Sequence, residues 1–491
     1  MKKTLQMLIV VAFLGLSAKA QFIQLGSKLV GTGGSAVANQ GFCVAISADG
    51  NTAIVGGPTD NSGVGAAWVY TRSGNTWSQQ GNKLVGTGAV GTAGQGSAVS
   101  ISADGNTAII TGDADSSYAG AAWVFVRSSG VWTQQGNKLV GSGSSGNAEQ
   151  GYSVSISSDG NTAIVGGMSD NNSIGASWIF IRNGNIWSQQ GNKLVGTNAV
   201  GMANQGWFVS ISSDGNTAMV GGDNDNNNIG AVWVFTRSSG IWTQQGNKLI
   251  GIGAIGNAAQ GFSVALSPDG NTAIEGGISD NNELGASWVF TRSAGVWAQQ
   301  GNKLVGSGSV GTFSFEGNSV SLSYSGDTAI IGGNDDNSNI GALWVFIRTS
   351  GIWTQQGNKL IGTGAIGAAF QGRSCAISSD GLTAIVGGDH DNSMQGAAWI
   401  FSSGSSGINE IKTTNNISIY PNPATTLLHI HHSTCTSQET LVITDLLGTE
   451  VYKEKLCGID NTISISSWSV GLYFYEVRSN TDIARGKFVK E

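Results

Sequence analysis

Apolar and polar positions alternate along most of this chain in short stretches, broken every few residues by Gly, Asn, Asp or Ser. In Phe42-Cys43-Val44-Ala45-Ile46-Ser47 the period is two, as in a strand with one buried face. Asp49-Gly50-Asn51 follows with residues that tolerate the positive φ of a tight hairpin. Thr52-Ala53-Ile54-Val55 predicts a second strand ending at Gly56-Gly57. Beyond a polar loop, Ala66 to Arg72 predicts a third, and Ser73-Gly74-Asn75 turns it into a fourth, Thr76-Trp77-Ser78-Gln79-Gln80.

This four-strand unit recurs. Lys-Leu stands at Lys28, Lys83, Lys138, Lys193, Lys248, Lys303 and Lys359, a spacing of 55 that becomes 56 once, before Gly317. Trp68, Trp123, Trp178, Trp233, Trp288, Trp344 and Trp399 keep the same register. Four strands per unit in seven units predict a β-propeller, since β-helix coils are much shorter. The seventh unit stops at Trp399-Ile400-Phe401 without a fourth strand. The segment Phe22 to Lys28 matches Trp77 to Lys83, with Phe22 in the Trp77 position. The expectation is a ring of seven four-stranded blades closed by the N-terminal strand, which leaves no end blade to cap.

The pattern Gly41-Phe42-x-Val44-x-Ile46, Ile54-Val55-Gly56-Gly57-Pro58 and Gly65-Ala66-Ala67-Trp68-Val69-Tyr70 resembles the FG-GAP repeat of integrin-α-type seven-bladed propellers. The likeness covers residues 22–404. It departs from the family where Phe-Gly becomes Gln40-Gly41 and where Gly-Ala-Pro becomes Gly-Gly, with Pro58 the one proline retained at that place.

Both ends carry addresses. Lys2 and Lys3, an apolar run from Leu5 to Leu16 and Ala18-Lys19-Ala20 read as a cleavable secretory signal over residues 1–20. About 12 apolar residues are too few for the roughly 20 that span a bilayer, and no later stretch could cross as a helix. After the propeller (21–404), a Ser/Gly linker composition occupies 405–412. The alternating strands of residues 413–491 predict a small Ig-like β-sandwich, making the chain all-β. This segment resembles the C-terminal sorting domain of type IX secretion. Tyr420-Pro421-Asn422-Pro423 matches the opening motif, Asp445 to Val451 with Gly448 the central turn, and Gly471-Leu472-Tyr473 with Lys487 to Lys490 the closing strands. The resemblance implies engagement of secretion machinery through residues 413–491, passage across the outer membrane, and release or attachment at the cell surface.

Composition agrees with short strands and many turns. Of 491 residues 76 are Gly, roughly twice average usage, and only 11% are charged, while 4 Pro exclude collagen and 15 Trp exclude a disordered chain. A net charge of -7 without a basic patch excludes nucleic acid as a partner.

The most regular polar feature lies three residues after the Gly-Gly: Asp60, Asp115, Asp170, Asp225, Asp280, Asp336 and Asp391, set in Asn-rich loops. These residues are the candidate ligand-binding set, as oxygen ligands or partners for sugar hydroxyls; the preferred alternative is an Asx-turn. Calcium needs six to eight oxygens and a closing carboxylate, which the loops lack, so it is possible but not predicted, and no cofactor is expected. The repeated Trp read as packing before sugar platforms. Arg72 and its five counterparts read as strand-edge caps or partners of a local carboxylate. Cys435 and Cys457 are candidates to pair, whereas Cys43 and Cys375 are expected to be buried free thiols. No catalytic residue is expected: His390 is the only His between Gln21 and Gly404, irregular acids are few (Glu149, Glu275, Glu283, Glu316), and the repeats hardly break symmetry toward a central channel. The leading expectation is therefore a secreted or surface-displayed scaffold for adhesion or recognition of an extracellular glycan or protein. The rivals are an extracellular enzyme acting on polysaccharide and a structural surface-matrix protein.

Overall fold

Each strand expected in the first copy is present in a computed structural model of the chain: β1 is Phe22–Gln24, β2 Cys43–Ile46, β3 Thr52–Gly57, β4 Ala66–Ser73 and β5 Thr76–Gln79. The structure describes residues 21–403, 417–432, 439–445, 449–456, 458–478 and 483–491. The predicted signal segment, the 405–412 linker, Gly448, Cys435 and Cys457 lie outside the described residues. The chain divides into two units, Met1–Gly404 and Ser405–Glu491.

The first unit holds seven four-stranded antiparallel sheets. β3 is buried along its whole length, which is why Thr-Ala-Ile-Val reads as a continuous apolar run. The apolar cores sit between blades: Ile54, Ala67 and Val69 of the first blade pack with Val99, Ile110 and Trp123 of the second. The interface between the seventh and first blades is built alike, from Ile385, Ala398 and Ile400 against Val44, Val55 and Trp68. β1 completes the seventh sheet, with Phe22 opposite Ser403 and Gln24 opposite Phe401. Blade seven thus packs on blade one as every other blade packs on its successor.

Two backbone demands explain the glycines best. A Cβ on Gly56 would lie 2.2 Å from the Gly96 carbonyl of the next blade, and one on Gly86 would lie 2.2 Å from the Trp123 ring. Only a bare backbone admits such approach. The Asn-rich loops answer another demand. In each blade two or three residues after the loop Asp are left-handed, as at Asn226 (φ 51), Asn227 (φ 56) and Asn228 (φ 64). Asn bears this conformation better than other side chains.

In the second unit, Ile417–Tyr420, Leu427–His432 and Asp460–Ser464 form a three-stranded sheet. Glu439–Thr444, Glu450–Leu456, Gly471–Arg478 and Ile483–Lys490 form a four-stranded one. Leu428, Ile430, Leu441, Ile443, Ile463 and Phe488 belong to their one shared core, as in a β-sandwich.

Candidate functional site at the propeller axis

The seven loop aspartates take a role that neither sequence reading anticipated. All are 0% exposed. One carboxylate oxygen accepts a backbone N–H from the loop entering the blade, such as Ser35 N to Asp60 Oδ1 at 2.7 Å. The other meets the Lys that follows the fourth strand: Lys83 to Asp60 and Lys138 to Asp115 at 2.5 Å, and likewise Lys193 to Asp170, Lys248 to Asp225, Lys303 to Asp280 and Lys359 to Asp336. In blade seven the partner comes from the other end of the propeller chain, Lys28 to Asp391 at 2.5 Å. These carboxylates are turned inward and already bonded, so the set expected to face a ligand is not available to one from solvent. Each Asp opens the left-handed turn, and its carbonyl oxygen closes it, as where Gly65 N donates to Asp60 O at 2.9 Å.

The other repeated side chains are structural as well. Trp68 and its counterparts are fully buried, and Trp68 Nε1 donates to Thr32 O at 2.9 Å. Arg127 reaches back to the preceding blade, donating to Thr52 Oγ1 and Gln80 Oε1 at 3.2 Å, while lying over the Trp132 ring. Only Arg348 of this register meets a carboxylate, Asp327, at 2.7 Å. Among the described residues no group of three or more His, Cys, Asp or Glu is placed to hold a metal ion.

The seven copies do differ at the axis. The Gln-Gly pair at the start of each first strand, Glu316-Gly317 in the sixth blade, is pinned: Gln40 Oε1 accepts from Gly31 N at 2.5 Å, and Gly41 has φ +88°. The next residue projects into a cavity of about 350 Å³, lined by Phe42, Ser97, Tyr152, Trp207, Phe262, Asn318 and Arg373 from the seven blades. The expectation that the array hardly breaks symmetry at its channel is thereby corrected. A search for recurrence overlooks this register, whose signal is variation immediately after a Gln-Gly that six of the seven copies keep and the sixth replaces with Glu316-Gly317.

Three aromatics run side by side. Tyr152 and Trp207 have ring centroids 4.7 Å apart, and Trp207 and Phe262 5.4 Å. Across the mouth, the Arg373 guanidinium lies 4.6 Å from the centre of the Phe42 ring. A second variable register, after the Gly-Gly, adds Asp113 to the lining and places Asp223, Asn334 and Asp389 at equivalent positions in other blades. Burial pushes the carboxyls of Asp113 and Glu149 up and that of Asp223 to about 7. Asp335 is also raised by burial, but the nearby Arg373 charge opposes the shift. Cys43 and Cys375 are free thiols lining the same cavity, and burial raises both, Cys375 to about 12.

The remaining irregular acids are elsewhere. Glu283 is exposed in its left-handed turn. Glu275 is 0% exposed inside its blade, where neither oxygen makes a hydrogen bond of normal geometry; burial raises its pKa well above the ordinary value, opposed only by the Gly251 amide. Glu316 occupies the Gln40 register, accepting from Gly306 N at 2.5 Å and Ser309 Oγ at 2.6 Å. It is 1% exposed, and burial lifts its carboxyl from 4.5 to about 7. Below pH 4.5 the group is protonated in both folded and unfolded chains. As pH rises toward 7 the unfolded chain releases the proton first, so stability is lost across that window and then levels off. Glu316→Gln removes the titration, and its advantage over the parent should grow by on the order of 3 kcal/mol between pH 4.5 and 8. Urea denaturation at both pH values checks this; an advantage independent of pH would refute it.

In the second unit, Asn422 Oδ1 accepts from Val489 N at 2.9 Å and Ala424 N donates to Val489 O at 2.8 Å, joining the Tyr420-Pro421-Asn422-Pro423 segment to the last strand. Tyr420 is half exposed, whereas Tyr473 is buried and donates to Ser469 O at 2.8 Å. Gly471 opens the strand that carries Tyr473.

Residues 418–491 match the family model of the secretion system C-terminal sorting domain. Such a domain marks proteins sent by type IX secretion to the cell surface or beyond, so this protein is extracellular and engages that machinery through its C-terminal unit. No helix among the described residues is long and apolar enough to cross a membrane. No curated protein sequence matches the chain. Similar solved structures include hydrazine synthase of Kuenenia stuttgartiensis, with 12% identity and TM-score 0.47 over 76% of this chain and 97% of that one. PorZ, a surface component of the type IX secretion system of Porphyromonas gingivalis, has 11% identity and TM-score 0.41 over 92% of this chain and 59% of its own. The periplasmic gluconolactonase PpgL of Pseudomonas aeruginosa has 17% identity and TM-score 0.43, over 66% and 85%.

Proposed function

We propose that the protein is an extracellular recognition propeller that seats a saccharide at the mouth of its axial cavity. The observation that supports this reading is a register at which seven nearly identical blades diverge toward the cavity, supplying three adjoining aromatic rings around it. Flat rings stack on the apolar faces of sugars while nearby polar groups fix orientation. A rigid ring presenting a variable inner edge suits recognition better than the buried loop aspartates do. Within this reading the repeats are divergent FG-GAP-like units, on the registers of Gly41-Phe42 and Gly65 to Trp68, and binding serves adhesion or capture without turnover.

A glycan array probed with the full-length chain tests the proposal. The wild type should retain a defined set of glycans, and Trp207→Ala should weaken that retention at least about tenfold, several rings' stacking being worth a few kcal/mol, with an unchanged circular dichroism spectrum. Retention of nothing by the wild type, or undiminished retention by Trp207→Ala, defeats it.

A further inference from the structure

We propose that the saccharide seated at this mouth carries a protonated amino group, held by the carboxylates that flank the aromatic rings. The inference rests on the saccharide reading and narrows it. Asp113, Glu149 and Asp223 all lie close enough to Tyr152 for their charges to bear on its phenol. None of the three forms an ion pair with Lys or Arg among the described residues. Arg373 also acts on Tyr152, but it faces Asp335 as well. Four acidic side chains thus surround one guanidinium at the mouth, Asp223 among them ionising near pH 7.

The unpaired polar atoms point the same way. Asp223 Oδ1, Asn204 Oδ1 and Asn334 Oδ1 are buried without a hydrogen-bond partner, and Asn334 is only 6% exposed. Asp223 and Asn334 share the register of Asp113, which lines the cavity. All three atoms are acceptors. A buried acceptor lacking a donor is costly, so the fitting ligand brings donors. An ammonium offers three, along with a charge attracted both to carboxylates and to aromatic faces. A sugar acid would meet the opposite field.

Titration calorimetry at pH 7, where Asp223 is about half ionised, with the full chain provides the test, using a β-1,4-linked glucosamine oligomer and its fully N-acetylated counterpart as probes. The glucosamine oligomer should bind at least about tenfold more tightly. Asp223→Asn, which keeps the size of the side chain, and Asp113→Asn should each reduce that preference, and the double variant should abolish it. Trp207→Ala should weaken both probes together. Equal or tighter binding of the acetylated oligomer overturns the amino-group inference and leaves the saccharide reading intact. A preference that survives in the double variant overturns the assignment to these carboxylates. Binding of neither probe, together with an empty glycan array, overturns both.

Discussion

Deleting Phe22 to Lys28 is expected to lower the melting temperature by on the order of 10 °C or more. The segment supplies the outer strand of blade seven, paired to Phe401, Ser402 and Ser403. It also supplies Phe22, 4% exposed in the core beside Leu360 and Phe401. Burial of one such ring contributes about 2 to 3 kcal/mol. Its last residue, Lys28, neutralises Asp391, whose carboxylate is 0% exposed. Leaving a buried charge unpaired costs about 3 to 5 kcal/mol. Every other blade receives these parts from covalently adjacent chain; the seventh receives them across the closure. A scanning calorimetry trace unchanged by the deletion would be incompatible with N-terminal closure.

Asp225→Ala should destabilise the protein by about 3 to 5 kcal/mol while leaving ligand recognition at the axis intact. The substitution strands the Lys248 ammonium and leaves the Val200 amide without its acceptor at 2.7 Å. Lys248→Met alone should cost a similar amount, because it leaves the carboxylate buried without its cation. The double variant Asp225→Leu with Lys248→Met should recover much of the loss, since an apolar pair of similar volume can replace a buried ion pair. Guanidinium denaturation of these variants, with Asp225→Leu alone added to close the cycle, measures the coupling. Were Asp225 a ligand-binding residue instead, Asp225→Ala would change binding and leave stability nearly untouched.

Much of the architecture was legible because each local signal agreed with the next. Period-two alternation, the Asp49-Gly50-Asn51 turn and the Gly56-Gly57 stop mark β2 and β3 without outside help. The closure was legible as a deficit: a seventh unit without a fourth strand, and an N-terminal segment matching the one absent. The Asp–Lys pairs were visible as two separate series, but nothing local joins Asp60 to a Lys 23 positions away on the far side of two strands. Their meeting depends on the return of the chain after β5, whose Leu84 pairs with Ala67 and so brings Lys83 back to the loop before β4. The site at the axis was overlooked for another reason. Recurrence drew attention to the aspartates, whereas Phe42, Ser97, Tyr152, Trp207, Phe262, Asn318 and Arg373 share a position and no single residue type.

By itself the sequence determined the blade, the number of blades, the way the ring closes and the export address at the C-terminus, since each is written in local periodicity or in repetition along the chain. The tertiary structure alone decided which polar residues face inward and which register meets the axis. In a propeller both faces of most strands are buried against neighbouring blades, so alternation does not separate core from site. Radial position does, and it exists only once seven twisted sheets have converged around a common centre.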